Sequence, residues 1–194
     1  RMTINVSEFW RNPNRWEILQ SQIIPELAKQ TDRLKCWSAA CSTGEEPYSL
    51  AMILAHLRLL DRSEIVASDL DENAIAKAKQ AIYSERAIRE IPDIYIEKYM
   101  TRKDSLIHID EYIKRAVRFE KMNLLSDPFR THYDLIICRN VLIYFTDEAK
   151  HLIYRKFSAA LKPGGILFVG STEQIFTPET YGLKSADTFF YRKC

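Results

Sequence analysis

Small and acidic residues follow the first two apolar runs of the chain, at the points where those runs end. The first run leads into Ala39–Pro47, with the letters AACSTGEEP, and the second ends at Asp69. Small residues let the backbone approach a ligand closely, and an acidic residue at the tip of a second strand can accept hydrogen bonds from both hydroxyls of a ribose. The following helix start also offers unpaired N–H groups. These features predict a nucleoside site at the carboxyl ends of the two runs.

The glycine content of this turn bears on the kind of nucleoside. Gly44 is the only glycine between Ala39 and Pro47, so the segment is a poor match to the G-x-G-x-x-G turn that cradles a pyrophosphate. That argues against a nicotinamide cofactor and favours S-adenosylmethionine, which has no pyrophosphate and carries a sulfonium cation. Glu45 and Glu46 lie where this cation or the amino group could be met, although carboxylates also stabilise a helix N-terminus on their own.

A third apolar run ends in a polar pair that is followed by an aromatic residue. Arg139 and Asn140 come directly after the run, and Tyr144 follows in the same segment. Such residues are typical of substrate contacts at the carboxyl edge of a parallel sheet. The alternative is that Asn140 caps the next turn and Tyr144 packs against the fold. Asn123, which follows another short strand-like run, could face an adenine edge.

No histidine is placed to act as a general base. The four histidines lie on a helix face, in a charged segment and near surface turns, and none is beside a nucleophile at a strand tip, which disfavours a catalytic triad. The four cysteines have no C-x-x-C spacing, so no metal site is predicted. A carboxylate nucleophile needs no base, because with a pKa of about 4.3 it is ionised at neutral pH. Arg11 could hold it in a bidentate grip.

The elements that must position these residues alternate between strands and helices. The predicted strands lack polar alternation, which favours a parallel sheet covered on both faces. They are Leu34–Ala39, Glu64–Ser68 and Tyr133–Cys138. The predicted helices are Pro13–Lys29 (interrupted near Pro25), Pro47–Leu60, Glu72–Gln80 (with Asp71 as N-cap) and Asp147–Leu161. This order predicts an α/β fold with a mostly parallel sheet.

Two regions depart from the alternation. Between Ser84 and Lys121 the chain is richly charged, and Ser105–Ile109 and Ala116–Glu120 read as short strands; we expect a small strand-rich insertion around residues 105–120. At the end of the chain, Gly165–Gly170 and Thr188–Arg192 are not separated by a crossover helix, so they are expected to pair as a terminal antiparallel β-hairpin. Residues 1–194 are expected to form one domain.

The composition limits the class of protein. The 194 residues are 46% hydrophobic and 28% charged, with a net charge of +2, which excludes a disordered chain. No apolar run approaches the roughly 18–20 residues of a membrane span, so no direct membrane insertion is expected, and the near-neutral charge gives little attraction to nucleic acid. The lack of a secretory leader and the few cysteines predict a cytoplasmic protein. The absence of a heptad pattern predicts a monomer.

Motifs along the whole chain resemble one known family. The string Thr3–Arg11 (TINVSEFWR) is similar to its T-x-N-x-T-x-F-F-R signature, and Trp37–Ser49 (WSAACSTGEEPYS) is similar to its first-strand motif. Further matches follow in order at Ala67–Asp71, Asn123–Leu125, Cys138–Phe145, Leu161–Gly165 and Gly170–Glu173. The family is that of the CheR proteins, the bacterial chemoreceptor glutamate O-methyltransferases.

The resemblance implies a Rossmann-like class I methyltransferase fold, S-adenosylmethionine as methyl donor, S-adenosylhomocysteine as product, and receptor glutamate side chains as acceptors. Arg11 and Tyr144 would be the catalytic residues that line the methyl-transfer site. The strand-rich insertion resembles the family's β-subdomain, which docks a receptor tail peptide in some members. The cofactor contacts carried over by position are Asn5, Ser7, Arg11, Glu46, Asp69, Asn123, Leu124, Arg139 and Asn140.

The chain departs from the family pattern at a few places. Ser7 replaces a threonine and keeps the hydroxyl, and Trp10 replaces a phenylalanine. The first motif begins two residues into the chain, so the family's N-terminal helical domain is expected to be absent. One alternative function is a non-catalytic S-adenosylmethionine-binding signalling module, against which Arg11, Asn140 and Tyr144 argue. Nitrogen methylation of a nucleic acid is disfavoured, because no D-P-P-Y-like clamp follows the third run.

Overall fold

The computed structural model describes residues 7–194, which fold around a seven-stranded sheet and a separate three-stranded sheet. The strands are β1 (Leu34–Ser38), β2 (Ser63–Asp69), β3 (Ile82–Tyr83), β4 (Met100–Lys103), β5 (Leu106–Ile109), β6 (Val117–Lys121), β7 (Tyr133–Cys138), β8 (Leu161–Val169), β9 (Leu183–Asp187) and β10 (Phe190–Lys193). The α-helices are α1 (Pro13–Ile18), α2 (Ile24–Ala28), α3 (Glu45–His56), α4 (Glu72–Gln80), α5 (Asp93–Tyr99), α6 (Glu111–Lys114) and α7 (Asp147–Ala160).

The large sheet has the order β6-β2-β1-β7-β8-β10-β9. Pairing is parallel from β6 to β8, and β10 is antiparallel to both of its neighbours. The carboxyl ends of β2, β1, β7 and β8 therefore meet at one edge, where a ligand binds in open sheets of this kind. The predicted α/β fold with a mostly parallel, Rossmann-like sheet is confirmed.

Both faces of the large sheet are covered. All six residues of β7 are buried, and consecutive residues of a strand point to opposite faces. Ile137 accordingly packs in one core with helices α1 to α3, whereas Ile136 packs in a second core with Phe157 of α7. Because each face has its own apolar layer, the parallel strands read as continuous apolar runs in the sequence.

The helix boundaries follow local capping. Asp71 is the N-cap of α4, since its carboxylate accepts hydrogen bonds from the backbone N–H groups of Asn73 and Ala74, as predicted. Helix α3 ends at His56 rather than at Leu60, because the backbone of Arg58 is left-handed, with φ of 60°. A π-helical segment, Leu19–Ile23, separates α1 from α2. It directly precedes the turn with Pro25, which has no N–H to donate to the preceding turn.

Two expectations about the strands are corrected. The small sheet has the order β3-β5-β4, so it begins well before residue 105, and β6 does not belong to it. Strand β6 is the edge strand of the large sheet and runs parallel to β2, with Val117 opposite Ile65. Its Val117 is buried, and its Phe119 packs on Tyr48 of α3 with 5.8 Å between ring centroids. These contacts on the α3 side explain why β6 joins the large sheet.

The end of the chain has one strand more than expected. The predicted antiparallel pairing is confirmed for β8 and β10, with Phe190 opposite Phe168. Strand β9, which precedes β10 and pairs with it, was not predicted, because only its Leu183 is buried and the pattern gives little apolar signal.

Within the part of the chain that the structure describes, no helix combines the length and the apolar character needed to cross a membrane.

Candidate active site

A small, partly open cavity of about 70 Å³ lies at the carboxyl ends of β1 and β7. It brings together several residues that are far apart in the sequence and were predicted to contact a cofactor, namely Ser7, Arg11, Glu46, Arg139 and Asn140. The rest of its lining is Glu8, Ala40, Cys41, Ser42, Glu45 and Val141. The residues that precede the sheet, the loop after β1 and the loop after β7 thus form a single concave surface.

The loop after β1 is held by the tip of β2. Asp69 accepts a hydrogen bond from the backbone N–H of Ser42 at 2.8 Å, and its other carboxylate oxygen accepts one from the N–H of Asp71 at 2.9 Å. The loop turns sharply at Gly44, whose φ of 98° is in the region that favours glycine. A Cβ there would also lie 3.0 Å from the hydroxyl of Tyr83. Asp69 therefore stands at the predicted position and already orders the loop.

Glu46, in the first turn of α3, is an unusual carboxylate. It lines the cavity and is partly buried, and the guanidinium groups of Arg139 and Arg11 lie close enough to act on its charge. Its pKa is raised from 4.5 to about 7, chiefly by burial; this net value includes the lowering effects of Arg139 and Arg11 and the raising effects of Glu173 and Glu45. Such a carboxylate at the cavity surface can attract a cationic ligand. Its neighbour Glu45 is engaged already, since it accepts a hydrogen bond from the Thr43 hydroxyl at 2.5 Å.

Arg139 connects three segments beneath the cavity and is only 3% exposed. Its guanidinium donates to the carbonyl oxygens of Val169 (3.2 Å) and Arg11 (2.8 Å) and to the side-chain oxygen of Asn12 (2.7 Å). It also lies 4.5 Å above the centroid of the Phe168 ring. Burial lowers the pKa of this guanidinium from its ordinary value. The predicted ligand residue is therefore also a clamp on the backbone around Arg11.

The loop after β7 is fixed by a residue that the sequence reasoning did not assign to the site. The buried carboxylate of Glu173 accepts hydrogen bonds from the backbone N–H groups of Asn140, Val141 and Leu142, at 2.7, 2.9 and 3.0 Å. The sequence signal that could have identified Glu173 is its position in the segment Gly170–Glu173. This segment resembles a family motif, but no function was assigned to it.

Other predicted residues lie outside the cavity lining. The Asn123 side chain accepts hydrogen bonds from the N–H groups of Leu125 (2.9 Å) and Ser126 (3.3 Å), so it caps its own turn. The carbonyl of Leu124 accepts a hydrogen bond from Lys156. Tyr144 is on the loop between β7 and α7 and is 71% exposed. Asn5 lies outside the described residues.

The cavity suits S-adenosylmethionine in its donor and acceptor groups. Glu46 offers a carboxylate to a cation, and the small residues Ala40 and Ser42 leave room for close approach of a ligand. Asp69 lies outside the cavity lining, at the tip of β2, where it holds the loop that contains Ser42. None of the side chains that line the cavity is a histidine. Among the described residues no group of three or more His, Cys, Asp or Glu side chains could hold a metal ion.

Comparison with known proteins agrees with this reading. The family model "CheR methyltransferase, SAM binding domain" matches residues 5–190. The chain is 42% identical over 193 residues to a chemotaxis protein methyltransferase of Listeria innocua, which covers 99% of this chain and 74% of that protein. It is 33% identical over 187 residues to a chemotaxis protein methyltransferase of Borreliella burgdorferi, covering 90% of this chain and 66% of that protein.

Solved structures share the fold at low sequence identity. The O-methyltransferase domain of StiE (residues 961–1257) matches with a TM-score of 0.51 and 12% identity, over 91% of this chain and 56% of that one. PKMT2 from Rickettsia typhi, in complex with AdoHcy, matches with a TM-score of 0.50 and 14% identity, over 86% of this chain and 26% of that one. These likenesses establish the methyltransferase fold.

Proposed function

The chain belongs to the CheR methyltransferase family, and we propose that it transfers a methyl group from S-adenosylmethionine to glutamate side chains of methyl-accepting chemoreceptors, producing glutamate methyl esters and S-adenosylhomocysteine. The family supports methylation in chemotaxis that depends on S-adenosylmethionine. The observation that carries the proposal is the cavity itself, in which Arg11, Arg139 and the carboxylate of Glu46 line one surface.

Different residues would bind different parts of the cofactor. Glu46 receives the positively charged amino group, because an ionised carboxylate in a poorly hydrated site binds a cation strongly. Asp69 accepts hydrogen bonds from the ribose hydroxyls. Its two carboxylate oxygens each accept one backbone hydrogen bond already and have lone pairs free for a second. The remaining predicted contacts, at the adenine and around the methionine moiety, are Asn5, Ser7, Arg11, Asn123, Leu124, Arg139 and Asn140.

When bound, S-adenosylmethionine supplies a methyl group on a sulfonium, whose sulfur leaves as a neutral thioether. The acceptor glutamate needs no deprotonation, because its carboxylate is ionised at neutral pH. Arg11 would hold this carboxylate in line with the methyl carbon, and Tyr144 would close the site from the neighbouring loop. In that arrangement the carboxylate oxygen would form the new bond to carbon as the carbon–sulfur bond breaks, and the electron pair of that bond would stay on sulfur. Orientation and exclusion of water are then the main contributions of the protein.

The partners follow from this chemistry. The acceptor is the cytoplasmic domain of a chemoreceptor, and we expect the chain to act as a cytoplasmic monomer that is neither inserted into the membrane nor bound to nucleic acid. Residues 1–194 would act as one catalytic domain, with the small sheet as its insertion. A non-catalytic module that only binds S-adenosylmethionine is the alternative function.

The test is methyl transfer to a receptor fragment. The chain is incubated with methyl-labelled S-adenosylmethionine and a chemoreceptor cytoplasmic fragment, and the product is treated with base. Label released as volatile methanol identifies a carboxyl methyl ester, and a fragment whose methylation-site glutamates are replaced by alanine should take up none. Binding of S-adenosylhomocysteine without transfer would favour the non-catalytic module. Neither binding nor transfer would refute the proposal.

A further inference from the structure

The carboxylate of Glu173 is surrounded by hydrogen-bond donors. One oxygen accepts from the N–H groups of Asn140 (2.7 Å) and Gly170 (3.0 Å). The other accepts from the N–H groups of Val141 and Leu142 and from the hydroxyl of Thr172. The side chain is completely buried. A carboxylate has about four lone-pair sites, so Glu173 has no acceptor capacity left for a ligand.

These hydrogen bonds hold a loop that has no regular structure of its own. Asn140, Val141 and Leu142 lie between β7 and α7, outside any helix or strand, and Asn140 is in the left-handed region with φ of 58°. Asparagine enters this region more readily than most residues with a side chain, but the surroundings must still select it over the ordinary conformations. Three consecutive N–H groups converging on one carboxylate provide that selection.

Gly170 packs directly against the same loop. A Cβ at this position would lie 2.5 Å from the side-chain oxygen of Asn140 and 2.8 Å from its backbone nitrogen. The backbone of Gly170 has φ of −100°, which any residue adopts, so the glycine is required for space and not for conformation. Glu173 and Gly170 therefore fix the position of Asn140 from the end of β8.

We propose that Glu173 is a positioning residue for methyl transfer, which places Asn140 at the cavity and sets the path of the loop that leads to Tyr144. The inference rests on the proposed function, since Asn140 is assigned there to the cofactor and Tyr144 to the transfer site. Glu173 touches neither ligand, and its effect passes through the three backbone N–H groups.

The first test compares Glu173→Gln with a matched change in another buried acid. The glutamine amide has only one acceptor atom, its oxygen, so it cannot accept hydrogen bonds from all four N–H groups. Its NH₂ group would instead face backbone N–H groups, which are also donors, and some of these would lose their partner. Asp134→Asn is the control, because Asp134 is a buried acid on β7 that accepts from Lys35 and Lys162 away from the cavity. We expect Glu173→Gln to raise the Kd for S-adenosylhomocysteine at least about tenfold, and Asp134→Asn to leave it within about twofold.

Two further variants separate positioning from general damage. Gly170→Ala keeps the Glu173 carboxylate but displaces Asn140, so it should reproduce the loss of affinity. In an Asn140→Ala background, Glu173→Gln should lower affinity little further, because residues that act through one another give non-additive effects. Fully additive losses would overturn the proposal.

A measurement on the unmodified chain does not depend on any variant folding. Amide hydrogen exchange followed by NMR should show Asn140, Val141 and Leu142 protected although they belong to a loop. In Glu173→Gln these three amides should exchange at least about tenfold faster, with the β7 amides unchanged. Rapid exchange of the three amides in the unmodified chain would overturn the proposal. If these amides are protected but the unmodified chain does not bind S-adenosylhomocysteine, the proposed function fails instead.

Discussion

The hydroxyl of Tyr83 donates a hydrogen bond to the carbonyl oxygen of Thr43 at 2.6 Å. Tyr83 belongs to the small sheet, and Thr43 to the loop after β1 that shapes the cavity. The Tyr83 ring also meets Phe9 edge to face, with 4.9 Å between the centroids, and the Phe9 N–H donates to the carbonyl of Ala87. The small sheet and the turn that follows β3 therefore support the segments around the cavity from two sides.

This support predicts the effect of Tyr83→Phe. The change removes one hydrogen bond to the Thr43 carbonyl, worth about 1 kcal/mol, and keeps the aromatic contact. We expect the Kd for S-adenosylhomocysteine to rise about fivefold in calorimetry. Tyr191→Phe is the matched control, because the Tyr191 hydroxyl bonds the backbone of Ile175 in the second core. It should lower the Tm without changing this Kd. Equal affinities for both variants would show that the small sheet does not support the loop.

The raised pKa of Glu46 predicts a pH dependence of cofactor binding. With a pKa of about 7 in the free protein, Glu46 is neutral below that pH and loses its attraction for a cation. Affinity for S-adenosylhomocysteine, whose amino group is cationic, should fall by up to about tenfold per pH unit below 7. Calorimetry from pH 5.5 to 8.5 measures the midpoint, and Glu46→Gln should flatten the profile. A profile with the same midpoint in Glu46→Gln would assign the titration to another group.

The same pKa also predicts the sign of a stability change. Because the pKa of Glu46 is higher in the folded protein than its ordinary value of 4.5, the folded state binds the extra proton, and its contribution to stability falls as the pH rises from about 4.5 to 7. Glu46→Gln should therefore raise the Tm at pH 8 relative to the unmodified chain, with little difference at pH 4.5. A lower Tm at pH 8 would contradict burial of the carboxylate.

The contributions of Asp69 and Glu46 to cofactor binding should be separable with a truncated ligand. The compound 5′-methylthioadenosine keeps the adenosine and the thioether sulfur but lacks the cationic α-amino group. Asp69→Ala removes both the ribose acceptor and the bond to the Ser42 N–H, so we expect at least about tenfold weaker binding of both 5′-methylthioadenosine and S-adenosylhomocysteine. Glu46→Gln should weaken only S-adenosylhomocysteine. If Glu46→Gln weakens both ligands equally, Glu46 does not bind the amino group.

Tyr144 offers a test of catalysis apart from binding. It is 71% exposed on its loop, so Tyr144→Phe should change the free energy of unfolding by less than about 0.5 kcal/mol. We expect the kcat for receptor methylation to fall about tenfold or more while the Kd for S-adenosylhomocysteine stays the same. Tyr112→Phe, at another exposed tyrosine far along the chain, should leave kcat unaffected. A loss of cofactor affinity without a loss of kcat would mean that Tyr144 contributes to cofactor binding and not to methyl transfer.

Local signals account for what could be predicted from the sequence. Uninterrupted apolar runs identified the parallel strands, since both faces of the sheet are buried, and Asp71 marked a helix start because an N-cap needs an acceptor at that one position. The position of Asp69 at a strand tip was enough to place it beside the loop after β1.

Long-range contacts account for what could not be predicted. Strand β6 reads like any short strand, and only its pairing with β2 decides which sheet it joins. Glu173 reads as an ordinary acid near a turn, and its role depends on three N–H groups more than thirty residues away. Arg139 was predicted as a ligand contact, but its hydrogen bonds to the segment around Arg11 depend on how distant parts of the chain meet.

The aromatic layer under Arg139 gives the molecule an optical reporter. The Arg139 guanidinium lies 5.9 Å from the ring of Trp16, and Trp16 stacks on Trp10 with 5.7 Å between ring centroids. The remaining tryptophan, Trp37, is enclosed by Tyr133, Phe129 and Phe157 in the other core. Since indole emission responds to nearby charge, we expect ligand binding at the floor of the cavity to change the emission of Trp10 and Trp16, whereas Trp37 should add a constant background. Occupancy of the site can thus be followed by intrinsic fluorescence, without any label.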